Sequence, residues 1–177
     1  MELIELELPG IYLIKQRDFS DLRGNFVKTF NHTTFLKFGL CGEFKESFFS
    51  ESKKNVIRGM HFQIPPSDHH KVVTVYAGSI LDVIVDLRSG ENFGKYITVE
   101  LSREDATAVY IPEGCAHGFL SLTEGAVVNY MTSTEHSPEN EKGIHYESFG
   151  FDWPVENPIM SERDQGFLCL EEFKGIF

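Results

Sequence analysis

The sequence is poor in cysteine, in positive charge and in long apolar segments, and each shortage excludes a class of protein. Its three cysteines, Cys41, Cys115 and Cys169, are an odd number without paired spacing, which argues against a disulfide framework or a zinc site. With 16 Lys and Arg against 27 Asp and Glu, the net charge of −11 repels nucleic acids and anionic membranes. We therefore expect neither as a partner, and an anionic ligand requires a local cluster of cations.

The sequence also contains no signal-peptide pattern, repeat or linker. The first ten residues, MELIELELPG, are acidic and hold no long apolar run, so they predict neither a signal peptide nor a membrane span. No Ser/Gly-rich or low-complexity stretch divides the 177 residues, of which 41% are hydrophobic and 16 are Phe. These features predict a single soluble, cytoplasmic domain over residues 1–177.

Short runs of β-type residues make up most of the chain. Segments rich in Val, Ile, Tyr, Phe and Thr recur between Gly and Pro turns from residue 10 to residue 134. Gly78-Ser79 predicts a tight hairpin between two of them. Helical patterns are limited to HTTFLKFG, with Asn31 or Thr33 as N-cap, and to the tail SERDQGFLCLEEF. The pattern predicts an all-β antiparallel barrel or sandwich with a few short helices.

Alternation along these strands puts several reactive side chains on shared faces. His61 and Gln63 point the same way, and Lys71, Asp82 and Tyr130 each lie on a face with apolar neighbours at positions two residues away. If those faces line the interior, the His, Lys, Asp and Tyr side chains meet at one cavity, where burial without a partner is costly. Each residue alone fits a satisfied polar cluster; together they indicate a site.

A second motif supports an inward-facing histidine. Residues 112–117, Pro-Glu-Gly-Cys-Ala-His, resemble the second motif of the cupin barrel, which turns His117 inward. Many cupins bind a metal through His-x-His, a Glu and this second histidine. Here the first pair is His61-x-Gln63, and His69-His70 falls in a polar loop where it looks wrongly placed. A metal needs about three fixed protein ligands, so a metal-free barrel is expected.

The motifs together resemble one family. RGMHFQ, DVIVDLR, FGKY, IPEGCAHGFLSL, the Tyr130 strand, FDWP and PIMSERD occur in an order and spacing similar to those of the dTDP-4-dehydrorhamnose 3,5-epimerase family, from about Gly10 to Asp164. The resemblance implies a cupin-like jelly-roll homodimer without metal or organic cofactor. It also implies a nucleoside-diphosphate 4-keto-6-deoxyhexose as substrate, in deoxysugar biosynthesis.

The resemblance also implies a role for each matching residue. A ketone at C4 of the sugar acidifies the protons on C3 and C5, so epimerisation needs a base, an acid on the opposite face and a cation at the enolate oxygen. His61 matches the base, Asp164 the carboxylate that orients it, Lys71 the cation and Tyr130 the acid. The positions that hold the sugar or diphosphate are matched by Arg23, Arg58 and His117.

The chain departs from the family where the nucleobase binds. Two amides that hydrogen-bond thymine are replaced by Glu46 and Phe48, a stacking Tyr by His136, and an N-terminal Glu by Lys28. We count Gln63 and Glu141 with these as substrate-binding residues. Because a carboxylate only accepts hydrogen bonds, Glu46 suits the exocyclic amine of cytosine, which predicts a CDP-linked or other non-thymidine substrate.

Two other functions remain open from the sequence. One is a metal-dependent cupin oxygenase, and the other is a non-catalytic module that binds sugar nucleotides. Whether C3, C5 or both are epimerised depends on how the sugar ring lies against the base. For the dimer, the alternating segment ELIELELPG is expected to cross to the partner, as the N-terminal strand does in the family.

Overall fold

The protein, described here as a computed structural model of all 177 residues, is built from two antiparallel sheets that enclose one apolar layer. The six-stranded sheet consists of β1 (Glu2–Glu5), β2 (Tyr12–Lys15), β5 (Glu46–Ser52), β7 (Lys71–Ala77), β10 (Thr107–Ile111) and β12 (Ala126–Thr132). Its spatial order is β1-β2-β10-β7-β12-β5. This architecture confirms the prediction of an all-β jelly-roll barrel.

The second sheet has five strands. They are β6 (Ile57–Gln63), β8 (Ser79–Asp86), β9 (Tyr96–Ser102), β11 (Cys115–Ser121) and β13 (Glu141–Gly143). Their spatial order is β13-β6-β11-β8-β9. A separate hairpin joins β3 (Asp18–Asp21) to β4 (Gly24–Val27).

Helices are short, as expected, and none is long and apolar enough to cross a membrane. Helix α1 (His32–Lys37) is capped by Asn31, whose side chain accepts a hydrogen bond from the Thr34 N–H. The predicted tail helix is two separate turns, α2 (Glu162–Gln165) and a 3₁₀ turn (Leu170–Phe173).

Both sheets are covered on their outer faces as well. Helix α1 packs Phe35 over the six-stranded sheet, and the C-terminal segment packs Phe149, Leu170 and Phe173 over the five-stranded sheet. In β6, Met60 and Phe62 therefore face the C-terminal segment. The intervening residues face the space between the sheets, which fixes the direction of the His61 side chain.

The predicted hairpin at Gly78-Ser79 is wrong. Strands β7 and β8 belong to different sheets, and the chain passes from one sheet to the other at this point. Gly78 has φ of +70°, and a Cβ there would overlap the Thr123 hydroxyl. Gly78 therefore allows a tight turn that takes the chain from one sheet to the other, and such a turn favours the same residues as a hairpin turn.

Candidate active site

A cavity of about 310 Å³ lies between the sheets, with β6 and β11 on one side and β5, β7 and β12 on the other. Ten of the thirteen residues predicted for the site line it. These ten are Glu46, Phe48, Arg58, His61, Gln63, Lys71, His117, Tyr130, His136 and Glu141. Strand alternation predicted four of them, His61, Gln63, Lys71 and Tyr130, and the family resemblance predicted the other six.

Asp164 lies directly behind His61. Its Oδ1 is 3.0 Å from His61 Nε2, and its Oδ2 accepts a hydrogen bond from the Gly59 N–H at 3.2 Å. Ser161, the N-cap of α2, accepts from the Asp164 N–H and fixes the start of the helix. Burial raises the pKa of Asp164, but the bonds from His61, Gly59 and Ser161 outweigh it and lower this pKa to about 2. Asp164 is thus ionised and oriented to hold the imidazole.

Backbone packing brings β6 and β11 close together beside this pair. His61 is directly opposite His117, and the register shifts just after it. A Cβ at Gly59 would lie 2.5 Å from the Cα of Gly118, so neither position has room for a larger residue. The two glycines let the two strands approach each other closely beside His61.

Lys71 and Tyr130 extend from the opposite sheet. Tyr130 is paired with Val73 in the adjacent strand, so Lys71 lies two residues along on the same inner face. Burial lowers the pKa of Lys71 to about 8, with Asp82 and Glu141 opposing that shift. Burial also raises the pKa of Tyr130, although its hydroxyl is 3.2 Å from Ser50 Oγ. Tyr130 is therefore a neutral phenol that can donate a proton at neutral pH.

His117 forms a buried pair with Asp82 at the base of the cavity. Its Nε2 is 2.6 Å from Asp82 Oδ1, while Asp82 Oδ2 has no hydrogen-bond partner. Burial lowers the pKa of His117 despite the adjacent carboxylate. The ring centroids of His117 and Tyr130 are 6.2 Å apart, so this pair supports the wall beside the acid.

The rim of the cavity carries the residues that depart from the family pattern. Phe48 stacks on Tyr130 with ring centroids 4.9 Å apart. Glu46 Oε2 accepts from the His136 backbone N–H at 2.8 Å, and the His136 ring is 3.0 Å from Glu141. Burial raises the pKa of Glu141, but His136 and Arg163 outweigh it and lower this pKa.

Gln63 faces the cavity but its amide is used within the protein. Its Oε1 accepts from the Ser137 N–H at 2.6 Å, and its Nε2 donates to the Ser67 carbonyl at 2.7 Å. It therefore ties β6 to the loop that carries His136, and its contact with substrate stays a prediction. His69, a loop residue as expected, lies half-buried in the wall beside it, where burial lowers its pKa to about 3.

Arg163 is the main site residue that the sequence analysis missed. Its guanidinium contacts His61, Asp164 and Glu141 at 3.0–3.1 Å. Phe167 lies beside Arg163 and packs edge-on to the His61 ring, with ring centroids 5.6 Å apart. The sequence feature that could have identified Arg163 as a site residue is its position next to Asp164 in the motif SERD.

Comparison with known proteins decides the family. The model of the dTDP-4-dehydrorhamnose 3,5-epimerase family matches residues 5–172. The dTDP-4-dehydrorhamnose 3,5-epimerase of Shigella flexneri is 38% identical over 180 residues, covering 98% of this chain and 99% of that protein. The chain belongs to the dTDP-4-dehydrorhamnose 3,5-epimerase family. The resemblance and the isomerase class predicted from the sequence are confirmed.

Solved structures of epimerases have the same fold. A dTDP-6-deoxy-D-glucose-3,5-epimerase from Legionella pneumophila, in complex with dTDP-4-keto-L-rhamnose, has a TM-score of 0.93 at 31% identity, covering 99% of this chain and 98% of that one. A 3'-monoepimerase from Streptomyces bikiniensis, in complex with dTDP-quinovose, has a TM-score of 0.88 at 29% identity, covering 94% and 86%. The epimerase fold thus accompanies both double and single epimerisation.

Three predicted substrate-binding residues of the epimerase differ in their placement. Arg58 lines the cavity, but its guanidinium donates to Ser52 Oγ and the Glu51 carbonyl, both at 3.0 Å. Arg23 lies in the β3–β4 turn, is 89% exposed and pairs with Asp21, outside the cavity. Lys28 follows β4 and lines a different depression. The chain by itself does not bring Arg23 and Lys28 to the cavity that holds His61, Lys71 and Tyr130.

The side chains of the epimerase form no group of three or more His, Cys, Asp or Glu residues with the arrangement of a metal site. His69, which also lines the cavity, contacts Gln63 and Thr134.

The lowered pKa of Asp164 predicts an acid-dependent loss of stability. Because the pKa falls from 3.8 to about 2 on folding, the contribution is complete above pH 4 and is lost as the pH falls toward 2. We expect Asp164→Asn to reduce the free energy of unfolding by about 1–2 kcal/mol at pH 7 and by much less near pH 2. Urea unfolding at several pH values measures this, with exposed Asp152→Asn as control. A difference that does not depend on pH contradicts it.

Proposed function

We propose that this protein epimerises a nucleoside-diphosphate 4-keto-6-deoxyhexose by proton transfer through an enolate. His61 removes the proton from the carbon next to the ketone, and the electron pair of that C–H bond moves onto the carbonyl oxygen. The ammonium of Lys71 stabilises the resulting negative charge. Tyr130 then donates its proton to the same carbon from the other face, and both residues regain their original protonation through solvent.

The opposed positions of base and acid carry this proposal. His61 belongs to the five-stranded sheet and Tyr130 to the six-stranded sheet, and both line the one cavity between them. A sugar ring held in this cavity has one face toward each residue, which is what inversion at carbon requires. Lys71, one strand over from Tyr130, provides a cation without blocking either face.

Relatives support the substrate class. The solved epimerases named above were obtained with dTDP-linked 6-deoxy sugars. In this chain the catalytic residues lie in the same cavity as Arg58, which suits an anionic nucleotide through its planar donors. Relatives include 3,5- and 3'-epimerases. Hydrogen exchange into the sugar therefore has to identify the carbon that reacts here.

We expect His61→Ala and Tyr130→Phe to separate the two proton transfers. In deuterium oxide, His61→Ala should exchange no carbon-bound hydrogen, with turnover reduced at least about 10³-fold. Tyr130→Phe should still exchange hydrogen but return it to the original face. Mass spectrometry and NMR of the sugar identify the carbon, with His145→Ala and Tyr76→Phe outside the cavity as controls. Near-native turnover by His61→Ala refutes the base assignment, and binding without exchange by the unmodified protein indicates a non-catalytic module.

We further propose that the nucleotide is CDP rather than dTDP. Glu46 uses Oε2 to hold the His136 backbone, whereas its Oε1 makes no hydrogen bond within the chain. That oxygen can accept from the N4 amine of cytosine but repels the O4 carbonyl of thymine. Phe48 and His136 provide ring faces for either base. The relative solved with a dTDP-linked sugar favours dTDP instead, so a comparison of CDP and dTDP binding decides between the two nucleotides.

Calorimetric titration with CDP and dTDP tests the base. We expect CDP to bind more tightly, and Glu46→Gln to weaken CDP binding about tenfold while weakening dTDP less, because one charge-assisted hydrogen bond is lost. Glu100→Gln, on an exposed part of β9, is the matched control. Tighter binding of dTDP by the unmodified protein contradicts this assignment and leaves the epimerase mechanism unaffected.

We also propose a homodimer in which a second copy completes the site. The β3–β4 hairpin exposes Phe19 (56%) and Phe26 (61%), which pack mainly on each other. Arg23 and Lys28 belong to the same segment and do not reach their own cavity. Strand β1 pairs with β2 of its own chain and leaves its outer edge free, where a strand of the second copy can pair with it.

Sedimentation tests the dimer directly. We expect the protein to sediment at twice the mass of one chain, and Phe19→Asp with Phe26→Asp to give a monomer with much lower activity, because charge replaces the apolar surface. Leu36→Asp, an exposed apolar position on α1, is the control. A monomeric unmodified protein with full activity contradicts this proposal.

A further inference from the structure

A single hydrogen bond connects the Tyr130 hydroxyl to the rest of the protein. The hydroxyl oxygen lies 3.2 Å from Ser50 Oγ, and neither of these two side-chain oxygens has another hydrogen-bond partner in the chain. Strand β5 turns alternate side chains toward the cavity, so Ser50 lines it together with Glu46 and Phe48. Ser50 is paired with Val128, two residues before Tyr130, and therefore meets the phenol diagonally across the two strands.

The ring of Tyr130 is held on two sides, which fixes the position of its oxygen. Phe48 stacks on it with ring centroids 4.9 Å apart and an angle of 20° between the planes. The His117 ring lies edge-on to it, with centroids 6.2 Å apart. Because the ring is buried between these neighbours, Ser50 is the one group of the protein that can donate a hydrogen bond to the phenol oxygen.

The bond between the two hydroxyl groups can run in either direction, and proton transfer selects one of them. Once Tyr130 has given its proton to the sugar carbon, the phenolate oxygen can only accept, so Ser50 has to be the donor. Before the transfer, a hydrogen bond from Ser50 leaves the Tyr130 proton free to point toward the sugar. The same direction therefore suits Tyr130 both before and after it donates its proton.

The phenolate needs this donor because its surroundings provide little other stabilisation. Burial raises the pKa of Tyr130, and the hydrogen bond with Ser50 opposes that rise. A hydrogen bond to a charged oxygen is about twice as strong as one between neutral groups. The bond from Ser50 therefore strengthens as Tyr130 loses its proton, so it stabilises the state that follows proton transfer more than the resting state.

We propose that Ser50 is a positioning residue for the acid: its hydroxyl donates to the Tyr130 oxygen, directs the phenol proton toward the sugar and stabilises the phenolate that forms. This inference rests on the proposed function, in which Tyr130 is the acid. In that step the O–H bond of Tyr130 breaks and its electron pair stays on the phenolate oxygen. The electron pair of the enolate forms the new C–H bond, and the C4 oxygen becomes a carbonyl again. Ser50 keeps its own proton throughout.

The fate of the enolate in deuterium oxide tests the proposal. The enolate either takes deuterium back on its original face, from His61, or is inverted by Tyr130. We expect Ser50→Ala to reduce inversion about 10–100-fold and to leave exchange on the original face largely unchanged, because only the second transfer loses a hydrogen bond to a charged oxygen. Ser50→Thr keeps the hydroxyl and should retain most of the original ratio. Ser47→Ala is the matched control, since Ser47 lies on the outer face of β5 and accepts from Asn129.

A more acidic phenol provides a second test. With 3-fluorotyrosine at position 130 the phenolate needs less stabilisation, so the Ser50→Ala protein should recover part of its lost inversion. No recovery indicates a displaced ring and overturns the proposal.

Three further outcomes also overturn it. One is an unchanged ratio of inversion to exchange in Ser50→Ala. The second is an equal loss of both, and the third is a change confined to KM, which identifies Ser50 as a substrate contact. If the unmodified protein inverts a 4-keto sugar and one of these outcomes occurs, this inference alone fails. If the unmodified protein exchanges no hydrogen into any 4-keto sugar, the proposed function fails as well.

Discussion

The contact between Asp164 and His61 is the interaction on which the site depends. It joins residues about a hundred positions apart, and it forms only because the C-terminal segment covers the outer face of the five-stranded sheet. Apolar packing of Leu170 and Phe173 brings α2 to β6, and the Gly59 N–H then fixes the carboxylate. A hydrophobic surface remote from the cavity therefore orients His61, the proposed base, as is general for sites built on rigid elements.

The sequence predicts the cavity well because strand alternation is a local rule. Lys71 and Tyr130 share a strand face with buried valines two residues away, and His61 alternates with the apolar Met60 and Phe62, so the direction of each side chain follows from its neighbours in sequence. The turn at Gly78 was misread because a hairpin and a crossing between sheets use the same residues. Gln63 and Arg163 depend on partners far along the chain, which no local pattern reveals.

An acidic protein that binds an anionic substrate has to concentrate its cations. Arg58, Lys71 and Arg163 all line the cavity, although the chain as a whole carries a net charge of −11. Lys71 is buried, and the loss of hydration around its ammonium lowers its pKa to about 8. The nearby Asp82 opposes this shift. The Asp82 oxygen without a hydrogen bond fits this role, because its charge is offset by nearby cations rather than by a dedicated donor.

The two ends of the site are connected through one carboxylate. Glu141 Oε2 accepts from both the His136 ring at the rim and Arg163 beside the base. The backbone of His136 is in turn held by Glu46, so a continuous set of hydrogen bonds runs from the proposed nucleobase position to His61. Residues proposed to select the nucleotide and residues that surround His61 therefore share a structural support. A substitution at the rim consequently changes the surroundings of the His61 imidazole as well as the proposed contacts to the nucleobase.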